Sequence, residues 1–274
     1  VRIDQHETES SKEIRLTRMS YFATSARSAV GLVRSGNEDS GLASARLVAV
    51  ADGMGGHAAG EVASKIAIST LAQLSEIFTN PEIDSESADD IYLNSSHEIN
   101  QALKEEVAEN PELAGMGTTL TSLFLRDNSV ALLHIGDSRA YRLRGNAFEQ
   151  LSVDQTVIQE LLNQGAISES DVATHPQRSV LTQVLMGEGN LELPLPVFEG
   201  KIKDRYLVCS DGLSSVLTDK EIKSLIKGKD RDEAVNALID ATYINGAPDN
   251  VTVVIADLVE EEQPRTIEKI GAAQ

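Results

Sequence analysis

Val48–Lys65 reads VAVADGMGGHAAGEVASK: an apolar run into Asp52, four glycines between Gly53 and Gly60, then helical spacing. So bare a turn with a carboxylate at its lip admits a phosphate cradle, a tight turn or a metal site. The cradle fails on its own spacing. Gly55 and Gly60 supply the glycines of a G-x-x-x-x-G loop, but Glu61 and Val62 stand where Lys and Ser or Thr belong. A glutamate there repels phosphate. The dinucleotide spacing G-x-G-x-x-G fails as well, because Gly53 and Gly55 are followed by Ala58. A lone Asp-Gly is ordinarily just a turn.

The pattern is not alone. VAVADG carries Asp52, LLHIGDS carries Asp137, YLVCSDG carries Asp211, and Asp249 opens the run in APDNVTVVI. Three acids end apolar strands and the fourth precedes one. In an antiparallel sheet the end of one strand lies beside the start of its neighbour, so these distant acids can gather on one edge. Ionised together they would repel and raise one another's pKa, a penalty that cations remove. Hard oxygen donors without a His or Cys cluster select Mg²⁺ or Mn²⁺ over zinc. Glycines beside Asp52 let the backbone approach an ion, which makes the Gly53 carbonyl a candidate ligand.

Working outward, strands are expected over Arg46–Ala51, Thr118–Arg126, Ser129–Ile135, Arg139–Arg144, Arg205–Ser210 and Val251–Asp257. Turn residues in LRDNSVALL and RLRGNAFEQL join consecutive runs as antiparallel hairpins. Helical spacing covers Glu61–Phe78, Asp89–Glu109, Gln155–Asn163 and Asp230–Tyr243. Hairpins with paired helices predict an α+β layered fold, not a parallel doubly wound sheet. Residues 154–189 read as an insertion between two sheet strands, a candidate flap. Residues 1–22 read as a tail, 23–258 as the domain, and 259–274 as a tail or linker beyond which a membrane anchor could follow.

A net charge of −19 without a basic stripe argues against nucleic acid. It also disfavours a bare phosphate pocket unless cations reverse the local sign. No apolar run reaches the roughly 18 residues of a membrane helix, so the covered chain is expected to be cytoplasmic and free of membrane contact. Cys209, the single cysteine, lies in the apolar run YLVCS and is expected to be buried and inert.

VGLVRSGNEDS, VADGMGGHAAGE, GMGTTL, HIGDSRAY, VCSDGL and GAPDNVTVV, in that order, resemble the metal-dependent protein phosphatases (PPM, type 2C) in their bacterial form. The resemblance spans about Ser25 to Leu258. It implies a four-layer α-β-β-α sandwich, two antiparallel sheets flanked by helix pairs, with metals at one end. It implies that Asp52 bridges two Mg²⁺ or Mn²⁺ ions, that the Gly53 carbonyl binds one, and that Asp211 and Asp249 complete the other. Glu38 would act through a coordinated water, and Asp137 with Asp211 would hold a third ion. Arg34 matches the phosphate-binding arginine. His57 is either the acid that protonates the leaving oxygen or a residue that orients or caps.

The activity implied is hydrolysis of phosphoserine and phosphothreonine in proteins by water activated between two ions. No Ser-His-Asp elbow or Cys-x5-Arg loop offers a protein nucleophile. The expected partners are phosphorylated proteins, either substrates or autophosphorylated forms of a serine/threonine kinase. The alternatives are a phosphatase restricted to one regulatory phosphoprotein and an inactive metal-binding adaptor. His134 is expected to be a satisfied core residue. His175 and Arg178 would organise the flap, and Asn250 would orient Asp249 or start its strand.

Overall fold

A computed structural model describes residues 20–56, 59–78, 84–172, 175–189, 191 and 193–274, the side chains of Glu76, Ser85 and Glu169 apart. One antiparallel sheet orders β1 (Tyr21–Ala29), β11 (Val251–Val259), β10 (Arg205–Cys209), β7 (Arg139–Arg144) and β8 (Ala147–Gln150). The second orders β12 (Glu268–Gly271), β2 (Asp39–Ala43), β3 (Leu47–Met54), β5 (Leu120–Arg126), β6 (Ser129–Ile135) and β9 (Val197–Glu199), with β4 (Gly117–Thr118) paired to β3. The sequence expectations for β6 and β7 match residue for residue, and both hairpins form.

The apolar run in the opening stretch is buried on both faces, with period two. Val48 and Val50 join β1, β5, β6, β10 and β11 residues in the core between the sheets. Leu47, Ala49 and Ala51 turn the other way, onto α1 (Ala59–Ile77) and α2 (Ser85–Glu109). A third core lies outside the first sheet, where Leu207, Cys209, Val253 and Ile255 meet α6 (Asp219–Ile226) and α7 (Arg231–Ile244). Three cores between four layers make the α-β-β-α sandwich. Burial pushes the Cys209 thiol up to about 12, so it is the inert hydrophobe expected.

Four local features depart from expectation, each for a physical reason. The helix α2 begins at Ser85 instead of Asp89, because Asp84 caps it by accepting from the Ser87 N–H at 2.9 Å. The helix α6 lies where none was expected; a reciprocal capping box between Thr218 and Glu221 starts it. The strand β1 begins two residues inside the stretch read as a tail, and Phe22 is buried edge-on against Tyr206. The stretch after Leu258 is not all linker either. Its strand β12 pairs with β2, and Ile270 is buried in the inter-sheet core.

The expected flap connects β8 to β9, that is, an edge of one sheet to an edge of the other. It holds α3 (Val157–Asn163) and α4 (Glu169–Val172), and Asp211–Ser214 forms the short α5 that follows β10. Thr118 bridges to the buried Leu185, and Asn100 of α2 accepts from the Gly187 N–H at 2.7 Å, so the far end of the insertion is fastened to the body.

Candidate active site

The strand-end acids meet where the two sheets face each other. Asp52 ends the apolar part of β3 and pairs across the strands with Asp39 at the start of β2. Asp211 opens α5 immediately after β10, and Asp249 sits in the turn that leads into β11. Ser210 crosses between the sheets, donating its Oγ–H to Asp39 Oδ2 at 2.7 Å. The site is therefore stitched from both sheets.

The glycines of the opening stretch serve close approach. A Cβ on Gly53 would stand 2.0 Å from the Gly60 carbonyl oxygen and 2.6 Å from that of Glu38. A Cβ on Gly60 would stand 2.6 Å from Glu38 Oε2. The bare turn lets β3, the start of α1 and Glu38 press together, with the Glu38 carboxyl against the first turn of the helix. Gly212 has the same reason to be glycine: its Cβ would lie 1.8 Å from the Asn250 carbonyl oxygen. Of these three, none needs a left-handed backbone; Gly55, at φ +148°, takes that role in the turn.

The electrostatics are those of acids that outnumber their counter-charges, Arg34 and Arg139. Burial first, then Asp39, Asp211, Asp137 and Asp249, push the Asp52 carboxyl well above its ordinary range. Asp211 is raised by burial and by Asp249, against the lowering effect of its contact with Asp52. Asp137, in the turn between β6 and β7, is pushed up to about 7 by burial and by the neighbouring Asp211 and Asp154. Asp39 rises to about 7, mainly through burial, against the lowering effect of its Ser210 bond. Glu38 is raised by burial and partly restored by Arg34.

Asp249 is turned toward the loop 30–38. Its Oδ2 accepts from Arg34 Nη2 at 2.7 Å and its Oδ1 from the Asn250 N–H at 2.8 Å. Among the described residues no three His, Cys, Asp or Glu side chains stand around one point as they would about an ion. Arg34 occupies one Asp249 oxygen instead. The donor set nonetheless fits a hard divalent cation: oxygen donors only, half-buried, with the positive charge of Arg34 at the rim.

Several groups escaped the sequence reading. Asp39 is not among the sequence candidates, although it is the cross-strand partner of Asp52. Thr119 holds Asp52 in place: its Oγ1 accepts from the Asp52 N–H at 3.0 Å, and its own N–H donates to the Asp52 carbonyl at 2.9 Å. Its hydroxyl also bonds that of Ser138 at 2.8 Å. The TT of GMGTTL was the available signal. His134 is satisfied as expected but half-buried, not in the core, and is bonded to the Thr121 hydroxyl at 2.9 Å and the Val153 carbonyl at 2.9 Å. His175 Nδ1 accepts from the Gln177 N–H at 3.2 Å within the flap. His57 lies outside the described residues.

A two-sheet sandwich with aspartates gathered between the sheets and an arginine paired to one of them is an arrangement that suits divalent cations and a phosphoester. The chain belongs to the protein phosphatase 2C family, whose profile matches residues 37–240. It is 43% identical over 244 residues to the serine/threonine protein phosphatase PstP of Mycobacterium tuberculosis, covering 88% of this chain and 46% of that protein. The chain thus spans about half the length of that relative. It is 33% identical over 237 residues to the serine/threonine phosphatase stp of Listeria welshimeri, covering 83% of this chain and 92% of that one. The catalytic domain of PstP in complex with two manganese ions superposes with a TM-score of 0.80 at 40% identity, over 88% of this chain and 99% of that domain. No helix of the described residues is long and apolar enough to cross a membrane.

Proposed function

We propose that the chain hydrolyses phosphoserine and phosphothreonine in proteins, using Mg²⁺ or Mn²⁺ held by Asp52, the Gly53 carbonyl, Asp211 and Asp249. A further ion would lie with Asp137 and Asp211. The observation that carries this reading is the gathering of Asp39, Asp52, Asp137, Asp211 and Asp249 where the two sheets meet, close enough that neighbouring carboxyls raise Asp52 and Asp211 above their ordinary range. Likeness to a serine/threonine phosphatase and to a manganese-loaded catalytic domain supports it. When bound, such ions supply an activated water and absorb charge on phosphoryl oxygens.

Arg34 grips the phosphate. One of its N–H groups bonds Asp249, and its side chain is 51% exposed, which leaves the fork free to address two phosphate oxygens together. Substrate phosphate and Asp249 then share one guanidinium, which aligns the phosphoester with the acid cluster. Glu38 lies at the rim beside Gly60, where its carboxyl can hold and orient solvent. His57 is assigned the proton for the leaving serine or threonine oxygen, a transfer that histidine side chains in general suit near neutral pH. Phosphorylated proteins of a serine/threonine kinase pathway, in the cytoplasm, are the assigned partners.

Turnover of p-nitrophenyl phosphate and of a phosphothreonine peptide tests this. Turnover of both with Mn²⁺, lost in EDTA and restored by excess Mn²⁺, is the expected result. Silence with Mn²⁺ demonstrably bound would overturn it in favour of an adaptor.

A further inference from the structure

We infer that Asn250 is the positioning residue that sets the Arg34 loop against the acid cluster, an inference that rests on reading Arg34 as the phosphate grip. Residues 30–38 have no helix or strand of their own. At the loop's tip Leu32 and Val33 are 63% and 72% exposed, so no apolar anchor holds Arg34 where it stands. Polar bonds from the turn before β11 do.

Asn250 is buried and its side-chain amide makes three bonds to this loop. Its Nδ2 donates to the Val30 carbonyl at 2.8 Å and to the Gly36 carbonyl at 2.8 Å, and its Oδ1 accepts from the Glu38 N–H at 2.8 Å. Both amide hydrogens and one acceptor are thereby used on a single segment. The bonds fall on either side of Arg34 and end on Glu38, so one side chain fixes both groups. The same turn reinforces the seat: the Leu32 N–H donates to the Ala247 carbonyl at 2.8 Å. A Cβ on Gly31 would stand 2.2 Å from the Asp249 carbonyl oxygen, so the loop lies directly on the turn. Asn37 adds a bond from its Nδ2 to Ser28 Oγ at 2.7 Å, at the β2 end only.

The chemistry admits few substitutes. Aspartate is the same size and keeps an acceptor for the Glu38 N–H, but it would present oxygen lone pairs to the Val30 and Gly36 carbonyls. Alanine leaves two carbonyls and one N–H without their partner, and buried polar groups so orphaned drive local rearrangement. Meanwhile Asp249 keeps its own contact to the backbone N–H of residue 250, which either substitution preserves. The phosphate grip should therefore loosen while cation binding persists.

The test is a double-mutant cycle on Asn250→Ala and Arg34→Ala, with Asn250→Asp as an isosteric second variant should the alanine protein fail to fold. The readouts are KM for a phosphothreonine peptide, Ki for inorganic phosphate, and Mn²⁺ affinity by calorimetry. Losing Asn250 should raise KM and Ki about tenfold while Mn²⁺ affinity stays within about threefold. In the Arg34→Ala background the same change should add less than about twofold, since both act through one grip. Multiplicative effects, or Mn²⁺ affinity falling in step with Ki, would overturn the inference.

Hydrogen exchange of the Gly31, Leu32 and Glu38 amides supplies a readout that needs no turnover. The Gly31 and Leu32 amides should exchange at least about tenfold faster in either variant, and the Glu38 amide in Asn250→Ala, while β11 amides keep their protection. Unchanged loop exchange would overturn the inference. An inactive wild type would count against the proposed activity, and the exchange result would still decide whether Asn250 holds the loop.

Discussion

Replacing Asp137 by Asn should stabilise the metal-free protein at alkaline pH, against the usual cost of altering a half-buried residue. In the fold this carboxyl titrates at about 7, and its ordinary value is 3.8. The folded state therefore holds its proton where the unfolded chain has lost it. The acid's contribution is most favourable below pH 3.8 and is lost progressively as pH rises through about 7. At about 1.4 kcal/mol per pKa unit, the penalty above pH 7 is capped at about 4 kcal/mol. Asn is uncharged at every pH and escapes it. Domains of roughly 150–250 residues shift their melting temperature by about 2–4 °C per kcal/mol, so the ceiling is about 8–16 °C. Calorimetry with a chelator at pH 8 should show the variant several degrees more stable. By pH 5 the gain should shrink to about a third. Saturating Mn²⁺ should narrow it at pH 8, because cations then supply the counter-charge. A variant that melts lower than wild type at pH 8 without metal would refute the reasoning: Asp137 would be a paired structural acid, not a member of a repulsive cluster.

Asp211→Asn should abolish turnover, yet leave circular dichroism and metal-free melting at or above wild type, since it removes a charge raised by burial and by Asp249; loss of folding would make Asp211 structural. Gly212→Ala should cost about 2–4 kcal/mol in chemical denaturation, because its Cβ would stand 1.8 Å from the Asn250 carbonyl and the β11 turn must move. A loss below about 0.5 kcal/mol would show that the turn yields freely. Arg34→Lys should raise KM for p-nitrophenyl phosphate about tenfold or more with Mn²⁺ affinity little changed, since an ammonium cannot form the two-pronged contact. Unchanged KM would remove Arg34 from the phosphate site.

Legibility differed from one element to another. VAVADG was readable because alternation serves two cores at once, so Leu47 to Ala51 are apolar throughout and bounded by Asp-Gly. β2 was not readable: DSGLA is small and polar, and its strand conformation comes from lying between β12 and β3. β12 follows the same rule, since a lone EKIG segment has no reason to be extended until β2 offers it an edge. α6 was legible in principle, in its Thr218–Glu221 capping box, and was overlooked.

The sequence by itself determined the chemistry available: oxygen donors at strand ends, one arginine four residues before a glutamate that an aspartate follows, glycines where chains must touch, and no thiol or hydroxyl nucleophile in a recognisable setting. Those are properties of residue type and short spacing, and they survive without coordinates. Only the tertiary structure decided which acids raise one another, that Asp39 stands across from Asp52, that Arg34 rests on Asp249, and that Asn250 fastens the loop carrying it. Each of these joins residues far apart in the chain, and a through-space distance of a few ångströms leaves no trace in the order of residues.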